Sequence, residues 1–266
     1  MFKDITIGQY IPGKSIFHNL DPRVKIICIF TCLILVFCTY NYISLFVMFL
    51  VTVLFMLFSG IRLKMYFKSM KFIFFIVAFT SILNLFYSDG DPIFKLGFIT
   101  ITKEGIDNSI FVCVRVISLV VISSILTFTT TPTDLTDALE RLLEPLEILK
   151  VNVAEIAMMM TIALRFIPTL LEETDKIIIA QKSRGADLET GNITQRVKSL
   201  IPIIIPLFVS SFRRAYDLAI AMECRCYKGG EGRSRMKILK TSKVDLIMIF
   251  VVIIICMGVI VCNIRF

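Results

Sequence analysis

The chain has 266 residues, of which 56% are hydrophobic and only 19% charged, with a net charge of +8 and a single histidine. A soluble domain holds about 45–50% apolar and about 25% charged residues. Here the apolar excess comes in long blocks, which excludes an ordinary soluble core and points to membrane spans. The positive balance is that of basic loops kept on the cytoplasmic side of a bilayer, and no nucleic-acid partner is expected.

Residues 1–23 are amphipathic and carry Lys3, Lys14 and Arg23. Gly8-Gln9-Tyr10-Ile11-Pro12-Gly13 is expected to form a strand-like piece closed by a Pro-Gly turn. Asp21-Pro22-Arg23 starts a helix, with Asp21 as N-cap and Pro22 at the first helical position. Spans one and two are predicted over 24–39 and 43–59, joined by Tyr40-Asn41-Tyr42. No cleavage site of signal-peptide type follows the first run, so it is expected to stay as an anchor.

The next loop carries Arg62, Lys64, Lys68 and Lys71 and no acid, which predicts a cytoplasmic position. Span three, over 72–87, leads to a segment of mixed charge (Asp89, Asp91, Lys95, Lys103, Glu104) expected outside. Span four covers 105–127 and span five 244–263. The expected fold is therefore all-α, an integral membrane protein with five spans. Its parts are residues 1–128, a cytoplasmic coupling-helix region over 129–243, and a last span in 244–266, with the N-terminus inside and the C-terminus outside. Arg115 falls within span four; with no acidic residue in any span to form a proton relay, it is assigned a structural role.

The cytoplasmic stretch opens at Thr131-Pro132-Thr133-Asp134, a helix start followed by a leucine stripe that Pro145 interrupts. Two long helical patterns follow, over 152–184 and 195–227, each a rod of about 50 Å. Pro168 is expected to kink the first, and Pro202 and Pro206 to bend or break the second. Met158-Met159-Met160 is assigned to ordinary packing. Lys228-Gly229-Gly230-Glu231-Gly232-Arg233 has no strand before it and no Gly-Lys-Ser/Thr after it, so it is not a nucleotide-binding loop. The basic run up to Lys243 suits anionic headgroups of the lipid bilayer.

Six of the eight cysteines (Cys28, Cys32, Cys38, Cys113, Cys256, Cys262) lie in apolar runs, where they behave as small hydrophobes. Cys224-x-Cys226 lacks both zinc-knuckle spacing and a nearby histidine, so no disulfide framework and no metal site is expected. Catalytic residues and cofactors are not expected either.

Both arms stop on an arginine between small residues: Ser183-Arg184-Gly185 and Cys224-Arg225-Cys226. One such arginine ordinarily complements the helix dipole. Two at matching ends suit a docking tip, because small flanks allow close approach and a guanidinium can fork onto a partner's carboxylate.

These blocks resemble the transmembrane T component family of energy-coupling factor transporters. Gly8-Gln9-Tyr10-Ile11-Pro12-Gly13-Lys14-Ser15 with Leu20-Asp21-Pro22-Arg23 is similar to its N-terminal signature. Ala180-Gln181-Lys182-Ser183-Arg184-Gly185-Ala186-Asp187 and Ala221-Met222-Glu223-Cys224-Arg225-Cys226-Tyr227 resemble its two arginine motifs. Phe212-Arg213-Arg214-Ala215 and Gly229-Gly230-Glu231-Gly232-Arg233 are similar to further blocks, so the resemblance covers essentially the whole chain. It implies a non-enzymatic coupling subunit in the cell membrane. Two ABC-type ATPase subunits would dock on Arg184 and Arg225, flanked by Ser183, Gly185, Cys224 and Cys226. The arms would hold a small integral membrane substrate-binding component that delivers a vitamin or other micronutrient. The chain departs from the family at Ser183, Cys224 and Cys226, where alanine or glycine is more usual. The alternatives are a self-contained secondary carrier or channel, which needs repeats or midplane polar clusters, and a membrane enzyme, which needs grouped aspartates.

Overall fold

The computed structural model describes residues 10–87, 92–96, 99–186, 192–229 and 241–265. It is an all-α membrane protein with one short hairpin. In chain order the elements are α1 (Ile16–Asn19), α2 (Pro22–Phe37), α3 (Tyr42–Phe58), α4 (Leu63–Tyr87), β1 (Pro92–Leu96), β2 (Ile99–Thr102), α5 (Lys103–Thr129) and α6 (Pro132–Leu143). A 3-10 turn (Glu144–Leu149), α7 (Val153–Ser183), α8 (Ile193–Cys224) and α9 (Lys243–Arg265) complete it. The chain forms two units, residues 8–138 with 238–266, and residues 139–237.

The first unit is the membrane bundle, and each expected span falls on one of its helices. Local chemistry sets the helix starts. The Asp21 carboxylate accepts the Arg23 N–H at 2.9 Å with Pro22 in the first turn. Asn41 and Ser44 form a capping box on α3, and Thr102 Oγ1 accepts the Gly105 N–H at 3.1 Å on α5. Helix α5 packs against α2, α3 and α4, and α9 closes on α2 and α3. The buried interior is built from Cys32, Val36, Met48, Phe55, Ile122, Ile125, Phe128 and Val259, while Phe30, Ile34, Phe46, Phe74, Phe75 and Phe250 face outward. A bundle apolar on both faces suits lipid, where no water is displaced by greasy contact alone. Hydroxyls inside it bond back to their own helix: Thr52 to the Met48 carbonyl and Ser118 to that of Val114, both at 2.8 Å.

Several expectations change. The basic stretch Lys64–Lys71, expected as a loop, is the first part of α4, which bends by 60° between Lys71 and Ile73. Part of the mixed-charge segment after span three, within a fold expected to be all-α, is the antiparallel pair β1–β2, with Pro92 opposite Thr102 and Leu96 opposite Ile99. Asp89 and Asp91 lie outside the described residues, as do Gly8 and Gln9. Residues 10–14 form no strand; they fold over His18, whose Nε2–H donates to the Ile11 carbonyl at 2.9 Å while Ser15 Oγ meets Nδ1 at 2.6 Å. By length and composition α5, α7 and α9 can each cross a bilayer, as can α4 if its halves make one span. Helices α2 and α3 have 16 and 17 residues, below the roughly 20 of a straight span.

Arg115 takes the structural role expected of it. Its guanidinium donates to the Thr39 carbonyl at 2.5 Å and lies 4.6 Å from the centre of the Phe111 ring. Thr39 follows the end of α2, where free carbonyls carry partial negative charge, so the cation is partnered by a helix end and an aromatic face.

Candidate docking tips

The second unit is built on α7 and α8, which run antiparallel. Gln181, near the end of α7, donates from Nε2 to the Pro202 carbonyl near the start of α8 at 3.4 Å. Further along, Glu173 accepts a hydrogen bond from Ser210 and pairs with Arg214 at 2.9 Å. At the other end the backbone of Gly229, just past α8, lies beside Glu155 in the first turn of α7.

This pairing explains why the prolines do not break α8, so that of the expected bend or break the break is corrected. Helix α8 is continuous from Ile193 to Cys224 with both prolines inside it. Pro206 has no N–H, so the Pro202 carbonyl one turn earlier loses its helical donor. Gln181 of α7 supplies that donor instead. Helix α7 likewise runs unbroken through Pro168. The methionines also differ from expectation: Met159 and Met160 are exposed on α7 rather than packed.

The two tips are copies of one cap. At the end of α7, the Ala186 N–H donates to the Gln181 carbonyl at 3.0 Å and the Gly185 N–H to that of Lys182 at 3.0 Å. At the end of α8, the Tyr227 N–H donates to the Met222 carbonyl at 3.0 Å and the Cys226 N–H to that of Glu223 at 2.9 Å. Both are Schellman motifs, with the residue after the cap in the left-handed region: Gly185 at φ +84° and Cys226 at φ +57°. Arg184 and Arg225 are the C-cap residues themselves, with φ, ψ of −88°, 7° and −94°, 14°.

All six predicted site residues thus lie on two equivalent turns. Ser183, Arg184, Gly185, Cys224, Arg225 and Cys226 are exposed. Among the described residues neither guanidinium has a hydrogen-bond or salt-bridge partner. Because the helices are antiparallel, the structure does not bring the arginines together. It sets them at opposite ends of the pair, about 35–40 Å apart at 1.5 Å per residue. Exchanging α7 with α8 exchanges the tips, so the pair has an approximate two-fold relation.

Sequence reasoning missed the residues that lock the arms, Gln181, Glu173, Ser210 and Arg214. Their partners lie tens of residues away in sequence, and Glu173 stands among other charged residues (Glu172, Asp175, Lys176), so nothing local singled it out. It also missed Lys25 and Asp245, both almost fully buried in the bundle. Asp245 lies in the first turn of α9, inside the span drawn over 244–263, so the expectation that no span holds an acid is corrected.

An all-α bundle of apolar helices, with a pair of long helices that end in matching arginine caps, defines a polytopic membrane protein, and its sequence relatives are named as membrane components of transporters. Residues 13–238 match the CbiQ family model, described as cobalt transport protein, and the chain belongs to that family. The energy-coupling factor transporter transmembrane protein EcfT of Ruminiclostridium cellulolyticum is 53% identical over 247 residues, covering 93% of this chain and 92% of its own. The EcfT of Clostridium kluyveri is 49% identical over 249 residues, with 93% and 92% covered, and that of Bacillus subtilis 44% over 245 residues, with 91% and 92% covered.

Proposed function

We propose that this chain is the non-enzymatic coupling subunit of an energy-coupling factor transporter. Two ABC-type ATPase subunits dock on its arms, one on the Arg184 tip and one on the Arg225 tip. Their ATP-driven movement passes through α7 and α8 to a small membrane substrate-binding component, which carries in a vitamin or other micronutrient. The observation that carries this reading is the repetition of one cap, centred on arginine, at the two ends of an antiparallel pair. A lone arginine at a helix end complements the dipole. The same backbone geometry built twice, about 35–40 Å apart, suits two like partners and not one ligand.

Each guanidinium supplies a planar fork for a carboxylate in a groove of its partner. Ser183 and Gly185 at one tip, and Cys224 and Cys226 at the other, are small enough to let the helix end approach backbone closely. The arms are stiffened by the Gln181–Pro202 contact and by the Glu173–Ser210–Arg214 cluster, so a push at a tip travels along the rod. The charge pattern supports α2, α3, α4, α5 and α9 as spans, with the N-terminus and residues 129–243 cytoplasmic and the C-terminus outside. Helix α7 is apolar enough to cross, yet Glu172, Glu173, Asp175 and Lys176 sit within one turn of each other in its later half, which favours a helix lying against partners. Use of Arg115 to partner the end of α2 takes up an intramembrane cation that a self-contained carrier could have offered.

The test is co-purification in detergent with the ATPase pair and the substrate-binding component. Native chain retains both; Arg184→Glu with Arg225→Glu releases the ATPases and keeps the membrane partner. Retention of the ATPases by the double variant overturns the reading.

A further inference from the structure

The chain leaves the bundle unit after residue 138 and re-enters it at residue 238. Inside the bundle, both of these connections are tied to the first turn of α2 by one buried charged cluster. Lys25 is 2% exposed, and its ammonium donates to the Thr129 carbonyl at 3.1 Å and to Thr130 Oγ1 at 3.0 Å. Thr130 is the C-cap of α5, the last residue before the turn into α6. Asp245, 1% exposed, accepts the Asp21 N–H at 2.8 Å through Oδ1 and the Ser242 N–H at 2.6 Å through Oδ2. Ser242 stands immediately before α9. The carboxylates of Asp134, Asp245 and Asp21 all act on the Lys25 charge, and Arg23 is bound to Asp21 at 2.9 Å.

Burying charged groups is costly even when they are paired, and a hydrophobic cluster of the same volume would hold the helices at least as well. What a charged cluster adds is fixed geometry: each group here reaches one particular backbone atom of a connecting segment. We propose that Lys25 and Asp245 are positioning residues that clamp the outgoing and the returning chain to the start of α2. On the coupling reading given above, displacement of the arms is then delivered to α2 and α9 instead of being absorbed as bending at residues 129–134 and 241–245. Neither residue touches a partner; both act through the segments they hold.

The experiment uses the full transporter complex in nanodiscs and amide hydrogen exchange with and without ATP plus vanadate. Native chain responds to nucleotide in α7 and α8 and also in α2 and α9. In Lys25→Met the arms still respond, while the response of α2 and α9 falls at least about fivefold, the lower range of measured couplings between sites. Lys25→Arg restores part of it, which a purely space-filling role does not predict. Lys25→Met with Asp245→Asn removes the buried cation and the buried Asp245 charge together and serves as the second variant, with the same loss expected. An undiminished response of α2 and α9 in an assembled variant overturns the proposal, as does failure of the double variant to assemble, which makes the cluster a folding element only. Failure of the coupling reading itself looks different: the arms of the native chain then show no nucleotide response.

Discussion

Gly185 and Cys226 hold the same left-handed backbone position, at φ +84° and +57°, one residue past the ends of two different helices. Glycine takes that position freely, whereas a residue with a Cβ is strained there by about 1 kcal/mol. The second cap therefore persists against a local cost. A Cβ at Gly185 meets nothing within 4 Å, so its substitution is a backbone effect alone. Gly185→Ala is expected to weaken the α7 cap by about 1 kcal/mol, and Cys226→Gly to strengthen the α8 cap by up to about the same. Exchange of the Ala186 and Tyr227 amides, the donors that close the two caps, should respectively speed up and slow down by roughly fivefold.

The signature loop at the N-terminus is ordered by one imidazole. A Cβ on Gly13 would lie 2.7 Å from His18 Cε1. Gly13→Ala should push the ring off Ile11 and Ser15 and destabilise the bundle by about 1–3 kcal/mol. In a His18→Ala background the same change should be nearly neutral. Thermal unfolding of the four proteins in detergent checks the cycle.

The Glu173–Arg214 pair joins the arms at their middle, with the two side chains 21% and 43% exposed. An ion pair so open to solvent is worth roughly 0.5–1 kcal/mol. Glu173→Gln and Arg214→Met should show a coupling of that size in a double-mutant cycle read by exchange of α7 and α8 amides. The coupling should shrink as salt is added.

Acid should loosen the start of α2. Burial raises the pKa of the Asp21 carboxyl, but hydrogen bonds from the Arg23 side chain and backbone, and the charges of Arg23 and Lys25, outweigh it and hold the carboxyl below its ordinary 3.8. Its contribution is therefore fully present above that value and is lost as pH falls through the lower folded one. Asp21→Asn should flatten the acid limb of the stability curve below about pH 4, with little change in its slope near pH 7.

Much of this architecture was legible in the chain, for identifiable reasons. The five apolar blocks are long-range in effect but local in sequence, so each expected span lands on a helix. The arginine tips were visible because a cap is a local motif, and Gly185 marks one directly. Cys226 did not mark the other: nothing in its side chain signals a left-handed residue. Pro206 misled, since the rule that proline breaks a helix is local and the group that offsets it, Gln181, comes from another helix. Lys25 and Asp245 were hidden by their context, a cation and an acid at the ends of apolar runs whose partners lie more than a hundred residues away. The direction of α7 against α8 was not written in either arm, because an apolar stripe fixes which face packs and not which way the neighbour runs.

The central claim, that each tip holds one ATPase, is tested most directly by native mass spectrometry of the intact complex. The native chain should carry two ATPase subunits, Arg184→Glu and Arg225→Glu one each, and the double variant none. If either single change releases both subunits, or the double change releases neither, the arginine caps are not separate docking points and the account is contradicted.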